Sequence, residues 1–305
     1  GEAICMREGS TNVIDNTRII GHQDGIAVMF WSGGTITISN SKFIENNSAL
    51  SSSAPQSLTI SNSDFIRNKY YAISTSRNYP SGSTRNISNC NFIENNAYGG
   101  NNSATVGISN LSNYTSSSVF VNSNFVNKNN ALINYDNSKT ITAINNYWGD
   151  SSGPYHPSQN ASGKGDSVNA FVNVDPWLTA PNTDAPPIPA QNLKLDSQTV
   201  TSATFSWDAS KIGDLAGYKF YYDTDSSGYP YTNSVDLGNV VTKSLTGLTA
   251  GKTYYVAVST YDTDGNESWY SKEVSVTMNN TPVIAAVSDV TINEDESSTV
   301  TLSAT

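Results

Sequence analysis

Cysteine is nearly missing from this chain: two in 305 residues, Cys5 and Cys90. They fall some three repeats apart, which excludes a disulfide between them, and their scarcity fixes no redox compartment. Histidine is as rare, at His22 and His156, and no cluster has zinc-ligand spacing. No run is apolar enough to cross a bilayer. Only 14% of residues are charged, with 16 Lys and Arg against 26 Asp and Glu, a net charge of −10. The basic footprint of a nucleic-acid binder is therefore absent. The acidity is uneven: residues 182–305 hold 15 acids and 6 bases, whereas residues 1–181 hold 11 and 10. The first half also lacks apolar spacing of three and four, and its abundant Asn and Ser disfavour helix interiors.

What the first half does contain is a recurring phrase. TISNSKFIENNSA (Thr37–Ala49), TISNSDFIRNKYY (Thr59–Tyr71) and NISNCNFIENNAY (Asn86–Tyr98) are close copies. VIDNTRIIGHQDG (Val13–Gly25) and VFVNSNFVNKNNA (Val119–Ala131) are looser, and ITAINNYWG from Ile141 closes the series. One Asn marks each copy: Asn16, Asn40, Asn62, Asn89, Asn122 and Asn145. A period of twenty to thirty residues signals stacked supersecondary units. Apolar residues alternate before each marker, and a large apolar residue follows three positions later: Ile19, Phe43, Phe65, Phe92, Phe125, Trp148. Each repeat thus reads as about three short strands joined by Asn-rich bends, since Asn tolerates left-handed backbone. Stacked coil on coil, this is a parallel β-helix with an aromatic core column and a hydrogen-bonded ladder of the marker asparagines. Asn78–Arg85 and Tyr98–Ser118 read as inserted loops.

The phrase resembles the right-handed parallel β-helix repeat of bacterial secreted proteins. The stretch NNYWGDSSGPYHP (Asn145–Pro157), with GKGDSV (Gly163–Val168) and VDPWL (Val174–Leu178), resembles the closing segment of such proteins. The expected layout is an all-β chain. A single-stranded β-helix solenoid spans 1–180, capped at about 141–178, and a Pro-rich linker follows at 181–189. A run at 190–278 resembles a fibronectin type III sandwich, with Trp207 in one strand and Tyr254 at its tyrosine corner. Residues 279–305 resemble the start of a cadherin-like or Ig-like module, too short for a core of their own. The chain therefore reads as a piece of a longer protein, without its signal peptide.

Aligned repeats give columns that can be searched for chemistry. Glu45, Arg67 and Glu94 fall on consecutive coils in the column Gly21, Glu45, Arg67, Glu94, Asn127. Glu45 and Glu94 would stand about 10 Å apart, near the upper limit for an inverting carboxylate pair. The arginine between them favours an ion-pair row. Lys42 beside Asp64 reads as a cross-strand pair in the column Arg18, Lys42, Asp64, Asn91, Asn124. Glu45, Asp64, Arg67 and Glu94 are thus the candidate catalytic residues, without an assigned role. In pectate-lyase-like enzymes, to which this architecture is similar, substrate lies along one sheet. Here that sheet would present Ala27, Met29, Ser51, Ser53, Ser74, Ser76, Ile133 and Tyr135, a hydroxylic face with almost no charge, unsuited to acid–base work. Tyr70, Tyr71, Tyr79 and Tyr135 are the candidates for sugar stacking. Asp150, Asp166 and Asp175 in the cap are the candidate calcium ligands. His22 reads as a bend residue and His156 as cap packing. The functional expectation is a secreted or cell-surface modular protein whose β-helix binds or presents to polysaccharide, cell-surface glycan or other surface partners, with fibronectin-like modules as spacers. A polysaccharide lyase or glycoside hydrolase is the alternative.

Overall fold

The computed structural model describes residues 2–6, 11–31, 34–53, 55–76, 82–95, 104–108, 117–128, 130–136, 138–225, 227–280, 291–297 and 299. Those residues form strands, turns and loops and contain no helix. They fall into two compact units.

Three parallel sheets of eight, seven and five strands build the first unit, and successive coils add strands to them in turn. The first sheet orders Glu2–Met6, Ile26–Phe30, Ser48–Ser53, Ile73–Ser76, Val106–Ile108, Asn130–Asn134, Gly165–Val168 and Pro154–Tyr155. The second runs from Thr11–Asp15 through Thr35–Ser39, Ser57–Ser61, Thr84–Ser88, Ser117–Val121 and Ile141–Thr142 to Val172–Asn173. The third stacks Arg18–Ile20, Lys42–Ile44, Asp64–Ile66, Asn91–Ile93 and Asn124–Val126. Equivalent residues lie over one another: Ile38 on Ile60, Ile60 on Ile87, Ile87 on Phe120. The aromatic column is continuous. Phe43, Phe65, Phe92, Phe125 and Trp148 stack with centroids 4.9, 5.2, 4.7 and 4.5 Å apart, and all are fully buried.

The expected insertion at Tyr98–Ser118 needs correction. Val106–Ile108 within it is a strand of the first sheet, paired with Ile73–Ser76 and Asn130–Asn134. Val106 and Ile108 point inward on either side of Gly107, an alternation of three residues that is too short to mark a strand by pattern. Arg85 and Ser118, assigned to loops, are also buried in strands, where Arg85 Nη1 donates to Ser118 Oγ at 3.1 Å.

The marker asparagines all take left-handed backbone, with φ from 46° to 55°. That is the bend role expected of them. The side-chain ladder expected on Asn16, Asn40, Asn62, Asn89, Asn122 and Asn145 is not there: among the described residues, no side-chain hydrogen bond joins one marker to the next. It runs instead through Asn46, Asn68, Asn95 and Asn127, at the next bend. Asn46 N and Nδ2 both donate to Asn68 Oδ1 at 3.1 Å. Asn68 does the same to Asn95, and Asn95 to Asn127. The marker's left-handed turn points its own side chain outward. The buried bend one step on has orphan amides and carbonyls to satisfy.

A second ladder is made by Ser41, Ser63, Cys90 and Ser123. Thr17 N donates to Ser41 Oγ, Ser41 N to Ser63 Oγ, and Cys90 N to Ser123 Oγ, all at 3.1 Å. Cys90 replaces a serine and donates to Ser88 O, as Ser63 does to Ser61 O. Burial pushes its thiol up to about 12. Both cysteines are free.

The segment after Pro181 is not an open spacer. Asn182 N donates to Asn124 Oδ1 at 2.8 Å, and Asn91 Nδ2 donates to Pro186 O at 2.7 Å. It straps the outer side of the third sheet, with Ala185 and Ile188 buried.

The second unit contains the rest of the strands, in sheets of three and four. Lys194–Gln198, Ser202–Ser206 and Thr242–Thr246 form one sheet; Asn233–Gly238, Leu215–Asp223, Thr253–Asp262 and Val274–Thr277 form the other. Alternate residues Phe205, Trp207, Tyr218 and Phe220 fill the core. Thr249 N donates to the Tyr254 hydroxyl at 3.0 Å, the corner contact expected. Most of 279–305 lies outside the described residues.

Candidate functional site

Each candidate group can now be placed. Arg67 Nε meets Glu45 Oε1 at 2.8 Å, and its Nη1 lies 3.9 Å from Glu94 Oε2. The three residues share left-handed backbone at a bend, with φ of 55°, 52° and 52°. Asn127 leaves this column for the amide ladder, and Lys128 takes the left-handed position with φ 62°. One arginine thus bridges two carboxylates across a bend, an ion-pair row along the surface. Asp64 is 1% exposed and ion-paired with Lys42, while its Oδ1 accepts Asn91 Nδ2 at 2.9 Å. Asn124 extends this row through Asn91, and the 182–186 strap lies over it. The four catalytic candidates are therefore tied into two separate surface rows rather than gathered around one space.

The cap acids are not gathered either. Among the described residues there is no group of three or more His, Cys, Asp or Glu able to hold a metal ion. Asp150 Oδ1 accepts Ser152 N and Oγ at 2.9 and 2.8 Å, and those bonds hold its carboxyl below the usual range. Asp166 is buried and ends the Asn ladder: Oδ2 accepts Asn127 N and Nδ2, and Oδ1 accepts Lys128 N. Asp175 is exposed beside Pro176. His156 is fully buried, with Nδ1 accepting from Ser158 N and Gln159 N, and burial lowers its pKa. It packs the cap. His22 N donates to Asn46 Oδ1 at 3.0 Å, at the head of the ladder.

The outer side of the first sheet is different. Register runs Met29, Ser51, Ser74, Gly107, Ile133 along one outward column. The tyrosine two residues beyond Ile133 lies back across the glycine: a Cβ added to Gly107 would stand 3.0 Å from Tyr135 Cε2. A larger residue there would push the ring aside by a few tenths of an ångström. Tyr135 stays 45% exposed. Burial first, and then neighbouring Tyr71, push its phenol up. Tyr71, sixty-four positions earlier in sequence, thus acts electrostatically on Tyr135, whose ring lies against Gly107, and Gly107 continues the register of Ser51 and Ser74. Tyr70 faces elsewhere, with Lys69 Nζ 5.3 Å from its ring centre. Tyr79 lies outside the described residues. Gly107 is the neighbour of Tyr135 that the sequence pattern does not give, because the two lie on different coils.

Two family models match the chain. Residues 1–148 match a right handed beta helix region, and residues 186–277 match a fibronectin type III domain. Exoglucanase B of Cellulomonas fimi is 36% identical over 111 residues, 35% of this chain and 9% of the relative. Chitinase Chi52 of Paenibacillus xylanexedens is 38% identical over 102 residues, 33% and 18%. Human Contactin-6 is 32% identical over 104 residues, 32% and 10%. The chain thus spans less than a fifth of each of these relatives. No helix among the described residues is long and apolar enough to cross a membrane.

Proposed function

We propose that the chain belongs to an extracellular, multi-modular bacterial protein whose coil stack binds an uncharged polysaccharide along its first sheet. The stack is read as a right-handed solenoid, the sandwich as a spacer module, and the residues after Met278 as the opening of a cadherin-like or Ig-like module. The observation that carries the reading is Tyr135 lying on Gly107, half-exposed, on the sheet face whose register column also holds Ser51 and Ser74. A tyrosine face offers apolar area with a hydroxyl at its edge, which matches the C–H faces and hydroxyls of a pyranose. The absence of charge from this column disfavours both catalysis and acidic ligands. Matches to an exoglucanase and a chitinase support a polysaccharide-rich setting. The alternative, a lyase or hydrolase, gains nothing from Glu45, Asp64, Arg67 and Glu94, whose charges are already paired.

Affinity electrophoresis through gels containing neutral or acidic polysaccharides tests this. Neutral polysaccharide is expected to retard the protein, and Tyr135→Ala to restore its mobility. Release of reducing ends or unsaturated products during the same incubations would instead establish the enzymatic alternative.

A further inference from the structure

The sandwich holds an aromatic group that its core does not need. Within Leu215–Asp223, Phe220 points into the core and Tyr221 points out, as strand alternation requires. Outside the sheet Tyr221 meets Tyr270 edge-on, with centroids 4.8 Å apart. Tyr231 packs on Tyr270 at 5.1 Å, and Tyr229 on Trp269 and Tyr270 at 5.2 and 5.8 Å. Tyr229 is the exposed member, at 47%.

The loop presenting it is fastened at both ends. Asp223 Oδ1 accepts Thr224 N at 2.7 Å and Oδ2 accepts Thr232 N at 2.8 Å, bonds that hold this carboxyl far below its usual range. Glu273 Oε2 accepts both Gly228 N and the Tyr231 hydroxyl at 2.7 Å. The carboxylates are thus occupied in holding the loop, and the exposed surface between them is aromatic and hydroxylic. A clamped loop loses little freedom when a ligand arrives.

We propose that this cluster is a second carbohydrate site, on the fibronectin-like module, which takes a soluble, neutral oligosaccharide with Tyr229 as the stacking ring. Neutrality follows from charge: residues 182–305 hold 15 acids against 6 bases, which repels acidic glycans. Solubility follows from geometry. The rings are inclined to one another by 32° to 81°, so they cannot lie together on a flat crystalline face and instead cradle one chain. This site rests on its own observations and stands or falls apart from the coil-stack reading.

The test is calorimetric titration of the full chain with neutral cello-, manno- and xylo-hexasaccharides. At least one is expected to bind. Tyr229→Ala should weaken that binding tenfold or more, Tyr229→Phe less than threefold, and raising salt from about 50 to 500 mM should leave it unchanged. Loss in Tyr229→Ala but not in Tyr135→Ala supports this site independently of the coil stack. Binding by none of the three sugars, wild-type affinity in Tyr229→Ala, or loss only in Tyr135→Ala overturns it.

Discussion

Asparagine does two jobs in each coil, and backbone geometry separates them. The markers turn the chain at positive φ; the asparagines of the next bend bond upward and inward. Asn68 Nδ2 reaches both Asn95 Oδ1 and Phe43 O, so Asn68→Ala strands buried groups on two coils. A loss of about 2–3 kcal/mol is expected in denaturant unfolding. Asn62→Gly, at φ 47°, is expected to cost less than about 1 kcal/mol, because glycine takes that turn freely. Cys90→Ser restores the sister residue, and thermal melting should change little. His156 gives a pH signature. Its pKa is lowered in the fold, so below about pH 6.5 the unfolded chain binds more protons than the folded one. Its contribution is complete above that pH and is lost as pH falls through the lowered value. Melting temperature should therefore drop less between pH 7 and 5 in His156→Asn, which keeps an acceptor near Nδ1, than in wild type. Equal drops contradict this.

At the level of strands, the aromatic stack carries most of the coil's cohesion. Each ring packs on the rings before and after it, so Phe92→Ala opens a cavity between two coils. The expected cost is about 3–5 kcal/mol, and because coils interact only with neighbours the unfolding transition should also broaden. Much of this was legible in sequence. Periodicity and the Phe column give the three-sheet stack directly, because identical coils must place identical residues over one another. Val106–Ile108 was not legible, since three alternating residues inside a Gly-, Ser- and Asn-rich stretch do not stand out from loop. The ladder was assigned to the wrong asparagine because two Asn columns recur with the same period, and only φ tells which side chain turns inward. The strap at 182–186 was hidden by its prolines, which exclude sheet pairing but not side-chain bonds to a sheet's outer face.

Across the whole molecule, sequence columns found the charged rows and the hydroxylic first-sheet face with Tyr135, but not the lie of the Tyr135 ring against Gly107 on the neighbouring coil. Tyr135 and Gly107 belong to different coils, and they meet because Tyr135 folds backward over the neighbouring strand. The aromatic cluster of Tyr221, Tyr229, Tyr231, Trp269 and Tyr270 was missed for the same reason: it draws on a strand, a loop and a later segment. The central claim is that the uncharged first-sheet face holds polysaccharide through Tyr135. Its most direct measurement is the dissociation constant for the neutral polysaccharide that retards the full chain, compared among wild type, Tyr135→Phe and Tyr135→Ala. Binding retained in Tyr135→Phe and weakened about tenfold in Tyr135→Ala, some 1.4 kcal/mol, is the predicted result. Equal affinity in all three would contradict the account.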